Sequence, residues 1–285
     1  MGACYDPRPM ENVDLHCHSR ASDGLLAPAE LVLRAHAKGV TTLALTDHDV
    51  TDGLREASAA AHDADLRFVP GVEISVTWNE TSIHIVGLGI STEDETLEQG
   101  LQWVRGGRPR RAAQMARSLA DAGIPGTLEG AMRHARNPDL IGRSHFARCL
   151  VEMGCARDVG SVFKRYLVRG KPGFVPHQWA SLENAITWIR KAGGVAVLAH
   201  PARYRFTRDE LHRFMKEFSD LGGLGIEVIT PNHTFQECVL YANLARKFGM
   251  FASRGSDFHG PGESRIELGA IAQLPEDLKP VWKAL

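Results

Sequence analysis

Residues Asp14-Leu15-His16-Cys17-His18 set two imidazoles two positions apart, and a carboxylate follows at Asp23 in Ser22-Asp23-Gly24. On a strand, side chains repeat every two residues, so His16 and His18 face the same way. Imidazole nitrogen together with carboxylate oxygen suits divalent Zn, Mn or Fe. A His-x-His flanked by apolar residues also arises as ordinary strand packing. The rest of the chain must decide.

The same residue types recur wherever an apolar run ends. Residues 41–45 lead into Thr46-Asp47-His48-Asp49, residues 67–74 carry Glu73, and residues 82–87 carry His84. Residues 195–199 lead into His200-Pro201, and residues 250–253 open into Gly255-Ser256-Asp257-Phe258-His259. One such histidine would be read as a hydrogen-bonded packing residue. Six of the thirteen, accompanied by Asp23, Glu73 and Asp257, read as a ligand set. These nitrogen and oxygen donors suffice for three ions if one carboxylate bridges two of them. Asp14 and Asp47 adjoin ligand histidines and could orient their ring N–H groups; satisfying nearby backbone donors is an equal alternative.

The elements that must position these residues alternate in type. Residues 13–16 form a short strand, and residues 28–38 have helical spacing in Leu31, Val32 and Ala35 before Gly39. Residues 51–64 form a second helix, and the strand at 67–74 is interrupted by Pro70-Gly71. Functional residues placed just after strands point to an α/β barrel, whose sites gather at the strand C-termini. From 91 to 173 the alternation stops, and residues 101–122, 128–136, 144–152 and 159–167 read as helices. The barrel is therefore expected over 10–90 and 174–285, with 91–173 a helical insertion. After it come helices at 182–192, 209–221 and 235–248, a strand at 225–229, and a final strand at 267–272.

Lys+Arg and Asp+Glu nearly cancel, leaving a formal net charge of −1, so nothing demands a nucleic-acid or membrane surface. A phosphorylated small ligand needs only a local basic cluster. Arg105, Arg108, Arg110 and Arg111 surround Pro109 at an expected helix start, where free N–H groups and guanidinium forks favour an anion. As a charge run alone, a solvated helix face is the simpler reading. Arg143 and His145, in Gly142-Arg143-Ser144-His145-Phe146, are further substrate candidates. His145 could instead be a tenth metal ligand, a general acid or a helix-start residue. Lys171 and His177 are read as surface residues of a hinge. Trp179 or Phe206 could stack on a base, with nothing to choose between them.

Five cysteines, odd in number and without a CxxC, fit reduced thiols and a cytoplasmic location. No run approaches a membrane span, and no signal-peptide core is present. Residues 1–9 look like a disordered leader, with Met10 an alternative start.

His-x-His, Ser-Asp-Gly, Thr-Asp-His, Gly-Val-Glu, Ile83-His84-Ile85, Ala-His-Pro and Ser-Asp-x-His, in this order, resemble the PHP (polymerase and histidinol phosphatase) superfamily. The resemblance covers essentially the whole chain, with every ligand position matched. It implies a distorted seven-stranded (β/α) barrel holding two or three divalent ions, Mn²⁺ foremost, with Fe²⁺ or Zn²⁺ as alternatives. It implies that His16, His18, Glu73 and Asp257 hold the first ion. Glu73 would bridge to a second, completed by His84 and His200, and Asp23, His48 and His259 would hold the third. The catalytic assignment falls on Asp23, His48, Glu73 and His259, and the substrate assignment on Arg108, Arg111, Arg143 and His145.

The arginine-rich insertion resembles a subgroup of nucleoside 3′,5′-bisphosphate phosphatases, some of which trim RNA from its 5′ end. The expected activity is therefore metal-dependent phosphoester hydrolysis on a small phosphorylated nucleotide or a short RNA end. Histidinol-phosphate phosphatase and a non-catalytic metal-binding module are the alternatives. No DNA-binding module is evident, and the sequence leaves the oligomeric state open.

Overall fold

The computed structural model describes residues 11–285, so the expected leader and the alternative start at Met10 lie outside the described residues. The barrel half opens with β1 (Val13–Asp14), α1 (Pro28–Ala37), β2 (Thr42–Leu45), α2 (Leu54–Asp63), β3 (Arg67–Trp78) and β4 (Thr81–Leu88). Next come α3 (Glu95–Gly106), α4 (Arg108–Asp121), α5 (Thr127–His134), α6 (Arg143–Glu152) and the short α7 (Val159–Val162). The chain ends with α8 (Leu182–Lys191), β5 (Val195–Leu198), α9 (Arg208–Asp220), β6 (Gly225–Ile229), α10 (Phe235–Phe248) and β7 (Phe251–Arg254).

The seven strands form one sheet in sequence order. All neighbours are parallel except at β4, which is antiparallel to both β3 and β5. Beyond the formal strands, Asp257 N donates to His16 O (2.7 Å) and His18 N to Phe258 O (2.8 Å), joining the last strand to the first. Strands covered on both faces read as continuous apolar runs: β2 is Thr-Leu-Ala-Leu, buried throughout. The outer faces pack under α1, α2, α8, α9 and α10, while Val13, Leu15, Ala44, Val86, Val197 and Ala199 pack together with Trp282.

Three expectations change. Pro70-Gly71 does not interrupt β3, which runs on to Trp78 as one arm of a long hairpin. Pro70 sits where β3 begins pairing with β4, and the missing N–H is tolerated there. The helix expected at 101–122 is two helices, because Gly107 ends α3 and Pro109 starts the first turn of α4. No strand forms at 267–272. Gly269 turns there with φ 69°, and the segment spends its backbone on buried polar groups instead. Gly269 N donates to Asp14 Oδ2 (2.8 Å), and Ile271 O accepts from the buried Arg254 (2.9 Å).

Between β4 and β5, α3 packs against α8 and the barrel core, whereas α4, α5, α6 and α7 bury a core of their own around Met115, Leu119, Phe146 and Leu150. Among the described residues no helix is long and apolar enough to cross a membrane.

Candidate metal and phosphate site

All nine histidines and carboxylates singled out above meet at one end of the barrel. Their donor atoms form four overlapping groups: His18, Asp23, His48 and His259; His16, Glu73 and His200; His16, His18 and Asp257; and His48, Glu73 and His84. Glu73 is the hub. Its Oε1 lies 2.8 Å from both His84 Nδ1 and His200 Nε2. Its Oε2 lies 3.0 Å from His48 Nδ1, 3.2 Å from His16 Nε2 and 3.3 Å from His18 Nε2.

The backbone is bent to achieve this convergence. Asp49, His200 and Asp257 all follow strands with positive φ (54°, 27° and 50°). Such conformations cost of order 1–3 kcal/mol and gather where a site demands them. Gly255 is needed for room, because a Cβ there would stand 2.2 Å from His16 Cβ.

For Asp14 and Asp47 the structure shows the second of the two alternatives, the satisfaction of nearby backbone donors. Asp14 accepts from Ser256 N (2.8 Å) and Gly269 N, and Asp47 from Ser19 N (2.8 Å), Ser19 Oγ (2.6 Å) and Ser22 Oγ (2.5 Å). Both tie loops together rather than orient an imidazole. Glu227 on β6 does that work instead. It is buried, accepts from His16 Nδ1 (2.7 Å) and His200 N (2.6 Å), and so turns His16 Nε2 toward Glu73. An acid inside the apolar run Gly225-Ile226-Glu227-Val228-Ile229 was the sequence signal for it.

Burial opposes charge throughout this basin, yet the carboxylates win at two histidines. For His16, Glu227 and Glu73 outweigh desolvation and raise the pKa well above its usual range. For His18, hydrogen bonding to Asp257 and Glu73 outweighs it and lifts the value to about 10. Burial holds His48 well below its usual range and pushes His200 down to about 4, with Arg203 adding to the latter.

The donor set fits divalent metal ions. Buried Glu73 Oε2, His48 Nδ1 and His18 Nδ1 make no well-aligned hydrogen bond, although nitrogen and oxygen atoms crowd them. Nitrogen and oxygen atoms that converge without pairing to one another suit a cation that displaces the histidine protons, and mixed imidazole and carboxylate is the chemistry of Mn, Fe or Zn.

Above this floor lies a cavity of about 970 Å³ whose roof is the helical segment. Arg108, Arg111, Arg143 and His145 all line it. The arginine cluster divides: Arg110 is exposed, Arg105 Nη1 braces Asp49 O (2.9 Å), and Arg108 and Arg111 turn inward from one face of α4. Arg108 is neutralised by buried Asp49, which also accepts from Ser75 N (2.7 Å) and Ser75 Oγ (2.9 Å). Arg111 has no such carboxylate; desolvation and the nearby Arg143 and Arg108 charges depress its pKa. Desolvation and Arg108 likewise depress that of Arg143. Two underpaired guanidiniums in one pocket favour an anion between them.

His145 reaches back across its own helix start, where Gly142 N donates to its Nδ1 (3.0 Å). The proton therefore sits on Nε2, which is buried without a partner. Burial pushes this imidazole down to about 4, so near neutral pH it is uncharged and its Nε2–H offers a hydrogen bond.

Other expectations are revised. His177, read as a surface residue, lines the cavity with its ring 4.2 Å from that of Trp179. Lys171 is exposed. Trp179 lies beneath Arg108 and Arg111 (4.9 and 5.3 Å), which occupy its face. Phe206 packs between Trp78 and Phe214. Neither is free to stack on a base. Arg203, which bonds Asp257 at the cavity edge, was not singled out from sequence; nothing in Pro201-Ala202-Arg203-Tyr204 marks the arginine.

The PHP domain family matches residues 14–194. A 3′,5′-nucleoside bisphosphate phosphatase of Chromobacterium violaceum is 49 % identical over 276 residues, covering 97 % of each chain. The 5′-3′ exoribonuclease Rnm of Escherichia coli is 44 % identical over 272 residues, covering 95 % of this chain and 92 % of its own. A solved structure from Bifidobacterium adolescentis, described as that of a proposed metal-dependent phosphoesterase, superposes with a TM-score of 0.83 at 26 % identity. It covers 97 % of this chain and 95 % of its own. Sequence motifs, barrel topology and convergent donors agree with these matches, and the chain belongs to the PHP domain family.

Proposed function

We propose that the protein is a phosphoesterase that removes the 3′-phosphate of nucleoside 3′,5′-bisphosphates, with short 5′-phosphorylated RNA as the related substrate. One observation carries this reading: a single cavity has a histidine–carboxylate floor and, facing it, the underpaired Arg111 and Arg143. A substrate with two separated phosphates matches both ends. The similarity to a bisphosphate phosphatase and to an exoribonuclease supports the same choice.

His16, His18, Glu73 and Asp257 would hold one ion, Glu73, His84 and His200 a second, and Asp23, His48 and His259 a third, with Mn²⁺ the expected metal. Bound there, such ions supply Lewis acidity to phosphate oxygens and lower the pKa of water. The chain's own residues do the rest. Arg111 and Arg143 hold the remote phosphate, and Arg108, fixed by Asp49, closes the positive face beside them. His145 Nε2–H donates to a substrate oxygen. Glu227 keeps His16 in the tautomer that presents Nε2.

The discriminating experiment is phosphate release with Mn²⁺ from 3′,5′-bisphosphonucleosides, mononucleotides, histidinol phosphate and 5′-phosphorylated short RNA. The bisphosphate should yield one phosphate and a 5′-mononucleotide with the highest kcat/KM. A preference for histidinol phosphate, or no hydrolysis of any phosphate ester, would overturn the reading.

Metal loading should also release protons. In chelator-stripped protein His16 and His18 hold their protons at pH 7.5, since their pKa values are raised; as ligands they must be neutral. About two protons should therefore appear on loading, and affinity should rise with pH. Calorimetry in buffers of different ionisation enthalpy reads the number directly. Binding without proton release would remove these histidines from the ligand set.

A further inference from the structure

Asp23 sits on an irregular loop between β1 and α1, and its carboxylate is not gripped by the strands. Oδ1 faces His259 Nε2 at 3.5 Å and His18 Nδ1 at 3.9 Å, and His48 Nε2 lies 4.0 Å from Oδ2. A short side chain on a loop would sample several rotamers. What holds it comes from the helical segment. Ser144 Oγ on α6 donates to Asp23 Oδ2 (2.7 Å), and one turn later Arg148 Nη2 donates to Asp23 O (2.6 Å). Arg148 is itself fixed by a two-pronged contact with Glu263 (2.8 and 2.8 Å) on the loop after β7. Within the barrel, the contact from Ser22 Oγ is long (3.5 Å), and that hydroxyl is committed to Asp47.

We propose that Ser144 is a positioning residue for the ion held by Asp23, so that α6 completes a metal site of the barrel as well as roofing the cavity. The proposal rests on the assignment of Asp23, His48 and His259 to one ion. With Oδ2 held by the hydroxyl, the carboxylate is fixed in the rotamer that turns it to the histidines. Hydrogen-bond partners of metal ligands typically set affinity by about 10- to 100-fold. The adjacent Arg143 lines the phosphate end of the same cavity, so one helical turn serves both ends of the substrate.

The test measures bound Mn²⁺ on the full-length protein, by metal analysis after desalting and by competition against a fluorescent chelator. Ser144→Ala should weaken one ion about 10- to 100-fold and leave the others as in wild type. Ser144→Thr, which retains the hydroxyl, should restore it, and Asp23→Ala should lose the same ion outright. If Asp23→Ala loses an ion and Ser144→Ala loses none, the role of Ser144 is overturned while the ligand assignment stands. If Asp23→Ala keeps every ion, the assignment and the proposal fall together. Equal weakening of all ions in Ser144→Ala would make the contact a general support of the fold, which also overturns the proposal.

Discussion

Glu73→Gln should lower turnover by roughly a thousandfold and strip bound metal while leaving the helical and strand content intact. Glu73 is fully buried, and its two oxygens between them reach five histidines, the most of any carboxylate in the site. Glutamine keeps the shape and removes the charge. Metal clamps contribute several kcal/mol to phosphoester chemistry, and about 4 kcal/mol corresponds to about a thousandfold at 1.36 kcal/mol per tenfold. Metal analysis and kcat on a 3′,5′-bisphosphonucleoside, taken together, check the expectation. A variant with its full metal complement and more than about a tenth of the turnover, less than about 1.36 kcal/mol lost, would leave Glu73 as a packing group only.

Arg111→Ala should lower kcat/KM for a two-phosphate substrate by about ten- to a hundredfold, the equivalent of roughly 1.5–3 kcal/mol for a charge-assisted contact. A one-phosphate aryl ester, which has no remote anchor, should lose far less, and metal content should not move. The structure separates Arg111 from Arg108 in this respect. Arg108 already spends its charge on Asp49, so its removal also strands a buried carboxylate and loosens the joint between α4 and the barrel. Arg111 donates only to Val175 O (3.1 Å) and leaves its charge for a ligand. Equal losses on both esters would give Arg111 a role in the fold or the metal site.

Most of the donors were legible because they lie in or just after an apolar run, and strand periodicity tells which face such residues share. That Asp257 and His259 share ions with His16, His18 and Asp23 was implied by the family resemblance; spacing alone does not bring those segments together. What escaped depends on partners distant in sequence. Glu227 lies 211 positions from the His16 it orients, and although an acid inside an apolar run marks it as unusual, nothing local names that partner. Residues 267–272 carry strand-like apolar residues, but the buried Asp14 and Arg254 claim their backbone, so a turn replaces the ladder. The arginines around Pro109 look alike in sequence. Only helix phase, once Gly107 and Pro109 fix where α4 begins, sends Arg108 and Arg111 inward and Arg110 out.

The hairpin of β3 and β4 has a bearing on how substrate size can change between relatives. Glu73 and His84 lie well inside these strands, while the tip, Asn79 to Ser82, forms part of the cavity wall. Strand pairs can be lengthened or shortened at the turn, two residues at a time, without altering the register below it. Selection acting on that tip could raise or lower the wall, admitting a polymer end or confining a monomer, while every residue of the floor stayed in place. The wall at the hairpin tip and the floor donors Glu73 and His84 are thus carried by different stretches of the same two strands.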